Sequence, residues 1–198
     1  EGVPEELYQE FLSDITEEID RENKIITDLL SLVKMDKKAA DMNIVNMNIN
    51  ELLENILKRL RPIANQRSID LILDSFRPVT ADVDEVKFTL AISNLVENGI
   101  KYNVDEGWVR VTLDADHKYF YVTVADSGLG IPEDSIERIF ERFYRVDKSH
   151  SREIGGTGLG LAITRSSIVM HHGTIKVSSK EGEGTTFNVK IPLSYISS

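Results

Sequence analysis

The chain has 198 residues, enough for one ordinary domain with an added element, and its 41% hydrophobic and 28% charged residues are a normal globular balance. A formal net charge of -10 with no basic run opposes phosphate backbones, so no nucleic-acid partner is expected. The lack of cysteine excludes disulfides, thiolate metal sites and cysteine nucleophiles.

Residues from about Pro4 to Val33 read as one long helix almost free of breakers. Tyr8, Leu12, Ile15, Ile19, Glu22, Ile26, Leu29 and Val33 alternate at spacings of three and four, a heptad seam with Glu22 as its polar member. Leu7, Phe11, Ile25 and Leu30 widen that stripe toward the face a four-helix bundle needs. Such a helix must pair with another, and a plain dimerising coiled coil has the same pattern. Lys37 to Asp41 reads as a loop, which puts a domain boundary near 36–43, and Ile44 to Met47 as a short strand. A helix is expected from about Glu51 to Gln66 with Asn50 as N-cap, then a strand over Ile69 to Leu73 and a long helix over Asp84 to Tyr102. Trp108 to Leu113 and Tyr119 to Ala125 alternate as two strands about a polar turn. A short helix follows Pro132, another runs from about Gly158 to Met170, and strands Thr174 to Ser178 and Thr185 to Ile191 close the chain. The short turns force antiparallel pairing within an alternating order. The expectation is α+β: a two-layer α/β sandwich, a mixed sheet with helices on one face, preceded by a long bundle-forming helix.

Three segments carry candidate chemistry. Asn94, Asn98, Lys101 and Tyr102 share one helix face. A neutral amide oxygen can ligate Mg²⁺ beside phosphates without overcharging the site, and an ammonium can meet a phosphate. A solvated helix face gives the same pattern. Asp126-Ser127-Gly128-Leu129-Gly130-Ile131 follows a strand end. There a carboxylate can accept from the adenine amino group and would repel the guanine carbonyl, while the glycines let backbone approach a ligand. An ordinary Asp-Ser-Gly turn reads the same. Gly155-Gly156-Thr157-Gly158-Leu159-Gly160-Leu161 opens a helix, where free amides suit phosphate, yet it is neither a Walker loop nor a dinucleotide fingerprint. About thirty residues separate these glycine motifs, a long connection that suits a lid over nucleotide. They include Phe140-Glu141-Arg142-Phe143-Tyr144-Arg145, whose aromatics also suit simple packing. His117, His150, His171 and His172 make no metal pattern.

In order, Asn94–Tyr102, Asp126-x-Gly-x-Gly, Phe140–Arg145, Gly156-x-Gly-x-Gly and Gly182-x-Gly-Thr-Thr-Phe resemble the N, G1, F, G2 and G3 boxes of sensor histidine kinases. The resemblance spans roughly 43–193 and implies the Bergerat ATP-binding fold shared with gyrase B, Hsp90 and MutL. It implies that Asn98 is the Mg²⁺ ligand and Asp126 the adenine anchor. Lys101, Tyr144 and Arg145 would contact nucleotide, Tyr102 would flank the base, and Thr157, Gly158, Leu159, Gly160 and Leu161 would meet the phosphates. Gly128, Gly130, Ile131 and Thr186 complete the ATP-binding set by the same resemblance. Asn94 stands where gyrase B and Hsp90 relatives carry an acid, and an amide is no strong base for water, which favours transfer to a histidine over hydrolysis. Gly99 departs from the usual alanine, at about 1 kcal/mol of helix propensity.

By the same resemblance, residues 1–38 are the second helix of the dimerisation and phosphotransfer hairpin, with Glu1-Gly2-Val3-Pro4 as its turn, and 43–194 the catalytic ATP-binding domain. The acceptor histidine, followed by an acid and a nearby proline, would sit on the first helix, and no histidine here has that context. The implied partners are that helix, a second copy of the parent protein as a homodimer, and a response regulator receiver domain. No apolar run approaches a membrane span, and the opening residues are unlike a signal peptide. The expectation is a cytoplasmic piece of a membrane-anchored bacterial sensor kinase. The alternative is an inactive nucleotide-binding regulatory module that docks through its heptad helix.

Overall fold

The computed structural model describes residues 5–37, 42–146 and 156–196. Helix α1 (Glu5–Lys37) is followed by β1 (Ile44–Asn48), α2 (Ile49–Gln66), β2 (Asp70–Ser75), β3 (Thr80–Asp84) and α3 (Glu85–Lys101). Then come β4 (Trp108–Ala115), β5 (Tyr119–Asp126), a 3-10 turn (Glu133–Ser135), α4 (Gly160–Met170), β6 (Thr174–Lys180) and β7 (Gly184–Pro192). A five-stranded sheet runs β2-β4-β5-β7-β6, parallel only between β2 and β4. A second, two-stranded antiparallel sheet joins β1 to β3.

Period-two alternation builds the layers. Val109, Val111 and Leu113 of β4, Phe120, Val122 and Val124 of β5, and Phe187, Val189 and Ile191 of β7 are buried on one side. There they meet Leu53, Ile56 and Leu57 of α2 and Phe88, Ile92, Leu95 and Val96 of α3. Phe88 and Phe120 cross edge-on, centroids 5.8 Å apart, at the centre. The other face carries polar chains with ringed cations: Lys190 lies 3.8 Å from the Tyr119 centroid and Arg110 5.4 Å from that of Trp108. The mixed sandwich with helices on one face is therefore the architecture observed.

One expectation changes, and two features go beyond the sequence. The N-cap of α2 is Asn48, whose side chain accepts from the Glu51 amide at 3.3 Å. Asn50 lies inside the first turn instead, where its Oδ1 accepts from the Val79 amide at 2.8 Å and ties the helix to β3. Strand β3, whose Thr-Ala-Asp-Val-Asp sequence is a poor strand former, has no counterpart in the sequence reading. It forms because Ala81 and Val83 are fully buried and because the Asp82 backbone amide donates to the Leu193 carbonyl at 2.9 Å. The α1 seam, expected to pair with another helix, is uncovered among the described residues. Leu7, Tyr8, Phe11, Leu12, Ile15, Ile19, Ile26, Leu29 and Leu30 are exposed, while Leu32 is buried against Leu159 and Ile163 of the α4 region, with Leu90 of α3 beside them. The turn expected at Glu1–Pro4 and most of the loop from Lys37 to Asp41 lie outside the described residues.

Candidate functional site

The second half of α3 runs beneath the glycine-rich turns. Asp84 caps its start, accepting from the Lys87 amide at 3.0 Å. Arg67 donates to the Ile100 and Lys101 carbonyls at 3.1 and 2.5 Å and so satisfies its frayed end. Asn94 donates from Nδ2 to the Gly160 carbonyl at 3.1 Å and fixes where α4 begins. Asn98, one turn on, is half-buried, and its amide takes no hydrogen bond from the described residues. Gly99 sits where an added Cβ would press Val109 Cγ2 at 3.1 Å and Asp126 Cβ at 3.4 Å. Its propensity cost therefore comes with a close approach of α3 to β4 and β5.

Lys101 and Tyr102 end this face. The Lys101 ammonium is pulled down to about 8, first by burial and then by the Lys24 and Arg145 cations, with Glu97 opposing them. Its Nζ stands 5.3 Å from the Tyr102 ring centroid. A Cβ on Gly156 would lie 2.9 Å from that Nζ and 3.4 Å from the Tyr102 hydroxyl, so the glycine turn closes down on both.

Asp126 ends β5 on the helix-facing side. Burial raises its carboxyl above the ordinary value, and hydrogen bonds from the Gly128 and Thr185 amides work against that rise. Both amides donate to Oδ1, at 2.8 and 3.2 Å. Oδ2 has no partner among the described residues, so one acceptor of an oriented, half-buried carboxylate is left for a ligand. Close backbone packing holds the turn. A Cβ on Gly128 would fall 2.3 Å from the Tyr102 carbonyl, and one on Gly130, at φ 71, would fall 2.1 Å from the Lys180 carbonyl. Ile131 donates its amide to Ser179 Oγ at 2.8 Å.

Gly158, at φ 70, turns the chain into α4, and its carbonyl accepts from the Phe143 amide at 2.9 Å. Leu159 is buried, and no side chain among the described residues caps α4, so the first amides at Gly160 and Leu161 keep the dipole end open to them. Thr157 Oγ1 accepts from the Leu159 amide at 3.2 Å and donates to Asp28 of α1 at 2.8 Å. Lys24 lies 3.5 Å from Glu97, so α1 reaches the rim of the site at two points. Arg145 is near enough to depress Lys101.

The structure thus brings Asn94, Asn98, Lys101, Tyr102, Asp126, Gly128 and the Thr157–Leu161 turn together, with Arg145 at their edge. One expected residue sits at the rim and one falls outside. Tyr144 donates its hydroxyl to Ser135 Oγ at 2.9 Å and stacks on the Arg138 guanidinium at 4.3 Å, while its carbonyl borders the turn at Gly158. Thr186 pairs with Ala125 and stands on the opposite sheet face, because strand parity alternates. Thr185, paired with Asp126, is the threonine at the site. Of the span read as a lid, residues 147–155 lie outside the described residues. Sequence reasoning also missed Asn103, Ser127 and Ser179, small polar residues whose only signal is their place beside the motifs.

The model of the histidine kinase-, DNA gyrase B-, and HSP90-like ATPase family matches residues 83–195. Over 185 residues the chain is 34% identical to sensor histidine kinase WalK of Bacillus subtilis (strain 168), covering 92% of this chain and 30% of that protein's length. The nucleotide-free catalytic domain of histidine kinase ThkA aligns with a TM-score of 0.69 at 28% identity, over 77% of this chain and 97% of that one. ThkA in complex with response regulator protein TrrA shares the fold at a TM-score of 0.76 and 24% identity, over 98% of this chain and 53% of that one.

Proposed function

Because this chain belongs to the histidine kinase-, DNA gyrase B-, and HSP90-like ATPase family, we propose that it is the ATP-binding catalytic part of a sensor histidine kinase. Residues 43–194 are the catalytic domain, and residues 1–38 the second helix of the hairpin that dimerises the parent protein. The oriented Asp126 carboxylate, with Oδ1 bound to two amides and Oδ2 open, carries the reading. It suits the adenine amino group and repels a carbonyl at the same place.

Lys101 and the open amides at Gly160 and Leu161 supply positive charge for the phosphates, with Arg145 at the rim. The half-buried Asn98 amide, which has no partner among the described residues, fits a hard cation that keeps most of its waters. Asn98 would hold Mg²⁺, whose chemistry when bound is to neutralise phosphate charge. Asn94 ties the phosphate turn to α3 and, as an amide, takes no proton from water. That favours phosphoryl transfer over hydrolysis: the bond from the γ-phosphorus to the ADP oxygen breaks as a bond to an imidazole nitrogen forms. The protein's part is positioning and electrostatics. The histidine belongs to the first hairpin helix, and a response regulator aspartate receives the group next.

The test has two stages. Calorimetry with Mg-ATP should show binding by the chain and its loss in Asn98→Ala; a parent that binds no nucleotide refutes the reading. Adding the first helix as a separate chain should then yield ATP-dependent phosphohistidine. Normal ATP binding without phosphohistidine would favour an inactive regulatory module.

A further inference from the structure

Asn103 lies just beyond α3 and is 8% exposed. Its amide makes four hydrogen bonds. Nδ2 donates to the Gly99 carbonyl at 2.8 Å and to the Trp108 carbonyl at 3.0 Å. Oδ1 accepts from the Val104 amide and from Ser127 Oγ, each at 3.0 Å. Two donors and two acceptor positions are thus all used, and only an amide can serve both ends. A carboxylate would face two carbonyls, and an alkyl group would orphan all four partners.

The groups it joins surround the base side of the site. Gly99 is in the last turn of α3, which carries Asn98 and Lys101. Ser127 is the residue after Asp126, and its Oγ also accepts from the Trp108 amide at 2.9 Å. Next, Gly128 donates to Asp126 Oδ1, and Leu129 donates to the Tyr102 carbonyl at 2.9 Å. The space is filled: a Cβ on Gly107 would fall 2.2 Å from Asn103 Oδ1, and one on Gly128 would fall 3.1 Å from Asn103 Cα. The turn bearing Asp126 therefore has no freedom to shift unless this amide shifts with it.

We propose that Asn103 is a positioning residue which sets the discrimination between purines at the 6-position, by fixing through Ser127 where the Asp126 carboxylate stands. The inference rests on the reading that Asp126 receives the adenine amino group. A hydrogen bond in a half-buried site discriminates only when its acceptor is held within about half an ångström. Loosening the turn thus costs selectivity, beyond any general loss of affinity.

The probe is a pair of nucleotides, Mg-ATP and Mg-ITP, which differ in an amino group against a carbonyl at that position. Dissociation constants are measured on the whole chain for the parent, Asn103→Asp, Ser127→Ala and Ser127→Thr, with circular dichroism as the check on folding. The parent should prefer ATP. Asn103→Asp and Ser127→Ala should each lower the ATP-to-ITP preference by at least about five-fold, mainly through ATP, and Ser127→Thr should restore it. If Asn103→Asp does not fold, Ser127→Ala decides, since it leaves the Asn103 amide in place and removes the link together with the acceptor of the Trp108 amide. An equal loss for both nucleotides, or a lower melting temperature with the preference intact, overturns the inference and leaves the role of Asp126 standing. No preference in the parent overturns the role of Asp126, and the inference with it.

Discussion

Lys101 couples nucleotide binding to pH in a way that can be worked from its surroundings. Burial, with Lys24 and Arg145 behind it, holds the ammonium at about 8. Such a group is about nine-tenths charged at pH 7 and about one-tenth charged at pH 9. A phosphate beside it favours the charged form, so binding draws in a proton wherever the free protein has lost one. The affinity for Mg-ADP should be flat below about pH 7.5 and fall by up to roughly ten-fold per unit above pH 8. Glu97 is the influence that raises this group, so Glu97→Gln should move the onset to lower pH. Stability without nucleotide runs the other way. The folded value lies below the ordinary 10.5, so the charge is disfavoured by folding, and this group's contribution rises as pH climbs from about 8 to 10.5. Calorimetry in buffers of differing protonation enthalpy reads proton uptake directly, and urea melts read the opposite slope. An affinity unchanged to pH 9.5, or the same slope in Lys101→Gln, would refute the assignment of Lys101 to the phosphates.

Three other perturbations test the frame. Gly184→Ala places a Cβ 2.0 Å from the Asp126 carbonyl at φ 97, so urea melts should show a loss of about 1–3 kcal/mol or more, with weakened nucleotide binding. Phe88→Ala empties the centre of the core beside Phe120 and should cost about 3–5 kcal/mol by the same measurement. His171 is buried, with Nδ1 against the Ser167 carbonyl at 2.7 Å and Nε2 accepting from the Asp84 amide at 2.9 Å. Burial lowers its folded pKa below 6.5, so its stability contribution is full above pH 6.5 and lost as pH falls toward the folded value. The acid limb of stability should flatten in His171→Gln; an unchanged limb would exclude His171 as its source.

Legibility in the sequence followed physical cause. Alternation marked β4, β5 and β7 because each has one dry face, and the spacing of Asn94, Asn98 and Lys101 placed them on one helix face. The glycine turns were legible because backbone approach at Gly128, Gly130 and Gly158 leaves no room for a Cβ or demands positive φ. Strand β3 was not, since its order comes from pairing with β1 and from the tail at Leu193 rather than from local preference. Thr186 came from the resemblance alone, and the alternation that turns Phe187 and Val189 inward turns it to the other face. Asn103 was hidden because three of its four partners are local, so it reads as an ordinary turn asparagine, and only Ser127, 24 residues on, ties it to the site. The docking face of α1 was hidden too: it depends on Leu32, Asp28 and Lys24 meeting residues far along the sequence.

The exposed seam of α1 makes concentration a thermodynamic variable for this chain. A long helix with its apolar side chains in water draws little stability from propensity alone. Among the described residues its cover is confined to the last turns, near Leu32. Self-association that buries the seam would stabilise the helix by mass action and leave the sandwich untouched. Melting followed by helix signal should therefore separate, on dilution, from melting followed at Trp108. A midpoint for this chain has meaning only beside the protein concentration at which it was taken.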